Sequence, residues 1–463
     1  MKDEADSTAT ICAPITAVGI AAIAVIRVSG SLTQEIIAKL CLSAKKIISS
    51  PRSLIYSPVV DLLDGEHTEL DSALVSYFPA PHSFTGEDCA EFQIHGSPYL
   101  IKTLMDNLIY LGASLAQPGE FSKRAYLNGK LDLAQAEAIS DLILSETKAQ
   151  ARVAKEQLNG KLSKALQLVG EPLRDLLAEI EAFIDFPEED IPDPSKTKWK
   201  QVIENAAAEI GKFISSYAEG RIYRDGAQVA LVGRPNAGKS SLLNALVGEE
   251  RAIVTNIPGT TRDSIEERIC IGGVLVRLWD TAGLAHDSSQ NRKLDVVEVI
   301  GIERSWQKIQ QADLVLYLVS LSESWAEEQV FWQKVTALCS KTLLVFNKSD
   351  LLGGEEANKW ENAHKNAIFI STKEHRGLND LRRAISTSIS NAKPSSAVYL
   401  TTRRHYDALC LSAEALKRAN SSLSPELLSL EVREALRHLE EIVGVTYSED
   451  ILGRIFSKFC IGK

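Results

Sequence analysis

The residues best equipped for chemistry in this 463-residue chain lie near its middle, in Gly233-Arg-Pro-Asn-Ala-Gly-Lys-Ser240. The spacing G-x-x-x-x-G-K-S follows an apolar strand pattern, Gln228–Val232, and precedes a helical one, Ser241–Leu246. In that setting the glycines let the backbone of Asn236, Ala237, Gly238, Lys239, Ser240 and Ser241 close around phosphate oxygens. Lys239 reaches the outer phosphates, Ser240 ligates Mg²⁺, and the helix N-terminus adds a favourable dipole. Downstream, the strand pattern Leu275–Trp279 ends in Asp280-Thr281-Ala282-Gly283. This puts a carboxylate in the Mg²⁺ shell and a glycine N–H where it senses a γ-phosphate. Thr342–Phe346 then leads into Asn347-Lys348-Ser349-Asp350. The Asp350 carboxylate accepts from the ring N–H and exocyclic amine of guanine, a donor pair that adenine lacks. After Ala367–Ile370, Ser371-Thr372-Lys373 suits backbone contacts to the base. Four such elements in order, each after a strand, describe a site that binds GTP or GDP and hydrolyses GTP.

Between the phosphate loop and Asp280 runs Thr255-Asn256-Ile257-Pro258-Gly259-Thr260-Thr261. Thr261 is the best-placed residue to complete Mg²⁺ coordination with GTP and to release it after hydrolysis, as a switch. Leu284 stands where a Ras-like GTPase carries the glutamine that orients the attacking water, so hydrolysis must use something else. Asn236 either helps hold a monovalent cation beside the phosphates or only shapes the loop.

These segments need a scaffold, and the sequence divides accordingly. Up to about Gly129, short β-branched runs (Ala22–Val28, Ala73–Phe78) alternate with turn-rich joints such as Pro79–Ser83, which predicts an α+β domain. From Leu131 to Phe186, Pro172 is the one proline, and Leu133, Ala136, Ile139, Leu142 and Ile143 recur at helical spacing. The acidic, proline-bearing stretch Phe186–Pro194 breaks this pattern, and a helix restarts near Lys198. Strands alternate with helices from Ala227 to about Ile389, and leucine-rich helices return from Thr401. An α/β unit therefore interrupts a helical one.

Length and composition agree with about three domains. A net charge of −10 argues against coating nucleic acid or anionic membrane through charge alone. Seven cysteines without a Cys-x-x-Cys pair suit a reducing compartment, with the cytoplasm the default. The apolar stretch Ile15–Val28 follows an acidic start and contains Arg27, so it reads as buried strand, not as a signal peptide or spanning helix.

The phosphate loop, Gly259-Thr-Thr-Arg-Asp263, Ile300-Gly-Ile-Glu-Arg304 and the terminal Phe459-Cys-Ile-Gly-Lys463 together resemble the tRNA modification GTPase family MnmE, also called TrmE. Ser83–Asp88, His95-Gly96, Pro118–Ser122 and Leu127–Ile139 extend the resemblance over essentially the whole chain. It implies a multidomain α+β protein. An N-terminal α/β tetrahydrofolate-binding domain would span 1–128, and a discontinuous all-α helical domain 129–225 and 391–463. A Ras-like α/β P-loop G domain at 226–390 would be inserted between the two helical parts. The implied function is GTP-driven addition of a carboxymethylaminomethyl or aminomethyl group to C5 of the wobble uridine in tRNA. Expected with it are a one-carbon unit from 5-formyltetrahydrofolate or a related tetrahydrofolate, a homodimer, and the FAD-dependent partner MnmG (GidA) in a heterotetramer or larger assembly. The resemblance assigns K⁺ to Asn236, Thr255, Ile257 and Thr260, and folate to Arg27, Glu91, Lys130 and Lys463. Arg27 and Lys130 would meet the glutamate tail and Glu91 the pterin. Glu298 would orient the attacking water, alongside Lys239 and Asn236 in the catalytic set, and Cys460 is a candidate for the modification chemistry. Two departures stand out: Leu284–Val297 is longer than usual, and the turn from Pro14 to Ala22 is less glycine-rich than is typical.

Two other functions are weighed against this. A ribosome-assembly GTPase would add a basic RNA-binding appendage with a G-x-x-G loop, which neither flank contains. A membrane-remodelling GTPase would need an amphipathic or spanning membrane helix, and no membrane contact is expected.

Overall fold

The apolar runs of the sequence become two six-stranded sheets, each carrying one group of candidate residues. The computed structural model describes residues 9–17, 19–185, 196–248, 266–280, 306–389, 398–421, 424–445, 449–457, 459–460 and 462–463. In chain order the elements begin with β1 (Ile11–Pro14), β2 (Ala21–Ser29), α1 (Thr33–Leu40), α2 (Ala44–Ser49), β3 (Ile55–Val60), β4 (Glu69–Phe78) and β5 (Cys89–Gly96). Next come α3 (Pro98–Tyr110), β6 (Ser114–Leu115), α4 (Glu120–Leu127), α5 (Leu133–Ile143), α6 (Lys148–Leu158), α7 (Lys161–Asp185) and α8 (Lys196–Asp225). The central part holds β7 (Ala227–Val232), α9 (Lys239–Val247), β8 (Glu266–Ile271), β9 (Val274–Asp280), β10 (Leu314–Ser320) and α10 (Trp325–Leu338). It continues with β11 (Thr342–Asn347), α11 (Gly354–Ala363), β12 (Ile368–Phe369) and α12 (Leu378–Ile389). The last helices are α13 (Arg403–Asn420), α14 (Pro425–Val443) and α15 (Glu449–Phe456). The described residues fall into two compact units, one drawn from 1–140, 157–164 and 436–463, the other from 141–156 and 165–435.

In the first unit the strand order is β3-β4-β5-β2-β1-β6, antiparallel except for the β1–β6 edge. Period-two alternation turns Ala24, Ile26 and Val28 of β2 and Phe92 and Ile94 of β5 into a core with Ile36, Ile37, Leu40 and Leu104 of the helices. Arg27 and Glu91, cross-strand partners, take the opposite face. The apolar stretch Ile15–Val28 is not buried strand throughout: Ile20 is 90% exposed and Ile23 56%, and burial starts at Ala24. An apolar run indicates strand, but it does not show where the packed layer beside the strand ends. The C-terminal segment belongs to this same unit. Leu452, Phe456 and Phe459 pack on Tyr126, Leu133 and Ala136, and the Tyr126 hydroxyl donates to the Gly444 carbonyl at 2.5 Å.

The second unit holds a sheet of order β12-β11-β10-β7-β9-β8, parallel throughout except for β8 against β9. Its central strands are buried on both faces, as a parallel sheet covered on both sides requires: Val229 and Leu231 enter one core, Ala230 and Val232 the other. The helices before and after the sheet in sequence meet one another. α7 buries Leu166, Val169, Leu173, Leu176 and Ile180, a 3–4 spacing that continues past Pro172 in the helix interior. α8 buries Trp199, Ile203, Ala206 and Ile210, and Trp199 meets Phe183 edge-on at 6.1 Å. On its far half Tyr217 packs against Tyr406 of α13 at 4.5 Å, and Ser216 Oγ accepts from the Leu400 backbone N–H at 3.2 Å. Among the described residues no helix is long and apolar enough to cross a membrane.

A Cβ at Gly220 would lie 2.0 Å from the Leu400 carbonyl oxygen, so backbone meets backbone where α8 receives the returning chain. Helix propensity alone favours Gly220→Ala by about 1 kcal/mol. The overlap outweighs this, and the variant is expected to lose about 2 kcal/mol in urea unfolding.

Candidate active site

The phosphate loop is the short connection from β7 to α9, closed by two left-handed residues, Asn236 (φ 66°) and Gly238 (φ 94°). Asparagine is one of the few side chains that tolerates this region. Lys239 folds back so that its ammonium donates to the carbonyls of Gly233 at 2.8 Å and Arg234 at 3.0 Å. Ser240 and Ser241, in the first turn of α9, are exposed, and Ala237 is buried. β9 ends at Asp280, whose Cα lies opposite Leu231, one residue before β7 ends.

The guanine-side elements are joined to this loop by one buried side chain. Asn347, at the end of β11 and 1% exposed, donates from Nδ2 to the Ala237 carbonyl at 3.0 Å and accepts through Oδ1 from the Thr372 backbone N–H at 3.2 Å. A Cβ at position 238 would sit 2.2 Å from Asn347 Nδ2, which is why that position needs glycine on steric grounds as well as for its φ. Lys348 is left-handed (φ 66°) and turns the chain so that Asp350 faces Ser371, whose Oγ donates to Asp350 Oδ1 at 2.6 Å. That hydrogen bond is the main reason the Asp350 carboxyl is held below its usual range, with Lys373 and Arg376 adding to the effect. Ser371 thus holds the Asp350 carboxylate in place through Oδ1.

Thr255, Asn256, Ile257, Pro258, Gly259, Thr260, Thr261, Thr281, Ala282, Gly283 and Glu298 lie outside the described residues. Among the described residues no group of three or more His, Cys, Asp or Glu gathers into a metal cage. What fits Mg²⁺ here is the Ser240 hydroxyl at the helix start, a hard oxygen ligand of the kind that works together with nucleotide phosphates.

A second constellation lies on the N-terminal sheet. Arg27 donates through Nε at 3.0 Å and Nη2 at 2.7 Å to Glu91 Oε1, so these two residues first meet each other instead of two ends of a ligand. The guanidinium is bracketed by the rings of Phe84 at 5.0 Å and Phe121 at 5.6 Å. Its Nη1 is buried without a hydrogen-bond partner. A buried donor of that kind fits an acceptor-rich, anionic ligand such as a folate. Lys463 shares this field: burial and then the charge of Arg27 lower its pKa, while Glu91 and Cys460 oppose them. Gly462 (φ 94°) threads the tail past Pro14, whose carbonyl oxygen lies 2.3 Å from where a Cβ would be. Lys130 donates instead to the Pro81 carbonyl at 2.9 Å, on the turn that leads into Phe84. Cys460 is exposed, whereas burial pushes the Cys12 and Cys41 thiols up to about 12. Phe84 and Phe121 escape residue-type reasoning because lone phenylalanines read as core. Their places inside Ser83–Asp88 and Pro118–Ser122 were the available signal.

A family model described as the MnmE helical domain matches residues 133–460, and one described as the GTP-binding protein TrmE N-terminus matches residues 10–130. The chain is 41% identical over 460 residues to a tRNA modification GTPase MnmE of Aquifex aeolicus (strain VF5), covering 98% of this chain and 99% of that protein. It is 40% identical over 459 residues to the protein of that name from Hydrogenovibrio crunogenus, covering 98% of each. A solved G domain of the T. maritima FeoB iron transporter is 26% identical, covering 35% of this chain and 99% of that one, at a TM-score of 0.27 that carries no argument.

Protonation of Asp350 competes directly with donors of a bound base, so binding falls as pH drops through its carboxyl pKa. Ser371→Ala removes the largest lowering influence. The acid limb of mant-GDP binding, followed by fluorescence titration, is expected to move to higher pH in this variant.

Proposed function

The chain belongs to the MnmE family of tRNA modification GTPases, and on that premise we propose that it is the GTP-hydrolysing component of a complex that modifies C5 of the tRNA wobble uridine, adding a carboxymethylaminomethyl or aminomethyl group. It is a GTPase. The observation that supports the nucleotide assignment is the Asn347 side chain, which ties the phosphate loop at Ala237 to the loop at Thr372, beside the Ser371–Asp350 pair.

In this reading the loop 236–241 wraps the phosphates, and Asp350 with Ser371–Lys373 selects guanine. Lys239 sets positive charge against the oxygens on which charge develops during hydrolysis. Mg²⁺, held by Ser240 and Thr261 with Asp280 nearby, neutralises the same oxygens when bound. Asn256–Gly259 and Thr281–Gly283 complete the nucleotide contacts. Because Leu284 leaves no glutamine for the water, that task falls to Glu298. Asn236, Thr255, Ile257 and Thr260 hold K⁺, which supplies the positive charge an arginine finger gives elsewhere. The exposed side chain of Asn236 in its left-handed turn supports that role.

Arg27, Glu91, Lys130 and Lys463 bind a tetrahydrofolate such as 5-formyltetrahydrofolate, which supplies the one-carbon unit. The partnerless Nη1 of Arg27 supports this assignment. Cys460, exposed and three residues before Lys463, is available to the modification chemistry. The domain limits 1–128, 129–225, 226–390 and 391–463, a homodimer, the FAD-dependent MnmG partner, tRNA as substrate and a cytoplasmic setting complete the proposal.

GTP hydrolysis in KCl is expected to exceed that in NaCl at equal ionic strength, and Asn236→Ala should abolish the difference. Equal rates in both salts would remove K⁺ from the mechanism. Arg27→Ala should weaken 5-formyltetrahydrofolate binding in equilibrium dialysis by about tenfold or more, since a buried charge-assisted bond is lost. GTP hydrolysis without tRNA should be unchanged.

A further inference from the structure

The first variable residue of the phosphate loop is anchored from behind. Arg234 reaches α10, where Nε meets Glu328 Oε1 at 2.7 Å and Nη1 meets Glu327 Oε2 at 3.1 Å. Its Nη2 also donates to the Glu327 backbone carbonyl at 3.3 Å. Glu328 is 1% exposed, and its Oε2 accepts from the Tyr317 hydroxyl of β10 at 2.5 Å. The hydroxyl of Tyr317 satisfies Oε2, whereas Oε1 has no hydrogen bond of good geometry and is compensated by the Arg234 charge 2.7 Å away, so this buried carboxylate depends on Arg234 staying in place.

The other end of that residue is equally engaged, because the carbonyls of Gly233 and Arg234 are acceptors for the Lys239 ammonium. A continuous path thus runs from Tyr317 through Glu328 and Arg234 to the backbone that seats the phosphate-binding lysine. We propose that Arg234, clamped by Glu328, is a positioning residue for Lys239: it fixes the peptide on which the ammonium rests and thereby sets affinity for the nucleotide phosphates. It does not itself touch the nucleotide.

The surrounding charges favour a dedicated clamp over a casual surface pair. Glu323, in the loop between β10 and α10, adds to the negative field around this guanidinium. Burial and the charge of Glu328 push its carboxyl up, while Arg234 and Lys348 pull it down. Arg234 pairs directly with two carboxylates, Glu327 and Glu328, and a planar guanidinium with several donors can serve both in a way a lysine ammonium cannot. Removing Arg234 alone would also leave Glu328 buried and unpaired, so a charge-neutral pair of changes is the sound test.

The inference rests on Gly233–Ser240 being the phosphate-binding loop, which tight binding of mant-GDP by the wild-type full-length protein establishes before any variant is compared. If the wild type does not bind mant-GDP, the loop assignment fails and the clamp with it. Arg234→Met with Glu328→Gln, Arg234→Lys, and Tyr317→Phe are then compared for mant-GDP Kd, for GTP KM and kcat, and for thermal midpoint. The double variant is expected to fold and to raise both Kd and KM about tenfold while kcat at saturating GTP changes less than threefold. Arg234→Lys should recover part of the loss, and Tyr317→Phe should show the same split at smaller amplitude. A lowered thermal midpoint with Kd and KM within twofold of wild type would show that the clamp is only structural and overturn the proposal. So would a fall in kcat at unchanged KM.

Discussion

A buried amide must satisfy its hydrogen-bonding capacity, and the geometry of the nucleotide site depends on how Asn347 does so. Its two ends reach the phosphate loop at Ala237 and the base loop at Thr372, two segments far apart in sequence. Because each contact is made to backbone, neither loop can drift without leaving a polar atom unpaired in the interior. The same amide occupies the space a side chain at Gly238 would need. The glycine, the left-handed turn and the closure of the loop are thus parts of one constraint. Asp350 follows from it, since the turn that carries Asn347 inward also brings Asp350 to Ser371.

The N-terminal sheet solves a related problem differently. Arg27 is held on a largely covered face by a carboxylate and two aromatic rings, with one donor left over. The two nearby rings and the Glu91 carboxylate hold the guanidinium, so the unused N–H group is available to a ligand at little entropic cost. The C-terminal tail contributes to the same field, because α15 is seated on Tyr126, Leu133 and Ala136 and the last residues pass Pro14. Burial and the Arg27 charge both act against the Lys463 ammonium, a poor arrangement for stability alone that is offset if the group it meets is an anion.

The strands around the nucleotide site were legible because strands buried on both faces are written as unbroken β-branched and aliphatic runs that end where the functional loops begin. Thr342–Asn347 carries such a run in Leu343–Phe346, and Ala227–Val232 and Val274–Asp280 approach it, each interrupted by one polar residue, Gln228 or Arg277. Burial was less legible at Ile15–Val28, where hydrophobicity overstated how much of the strand is covered. Helical persistence through Pro172 is likewise a tertiary effect. The packed positions Val169, Leu173 and Leu176 surround the proline, and the packing outweighs what the missing N–H costs locally.

By itself the sequence determined the family and the GTPase class, and it set out the order in which the proposed phosphate- and guanine-facing residues leave their strands. The motifs behind this rest on local backbone freedom and side-chain functional groups, which adjacent residues express without help. The tertiary structure decided which groups meet across distance: Asn347 with Ala237 and Thr372, Arg234 with Glu328, Arg27 with Phe84, Phe121 and Glu91. Each of these contacts joins elements that the sheet order brings together from separate parts of the chain, and spacing along the sequence carries no information about them.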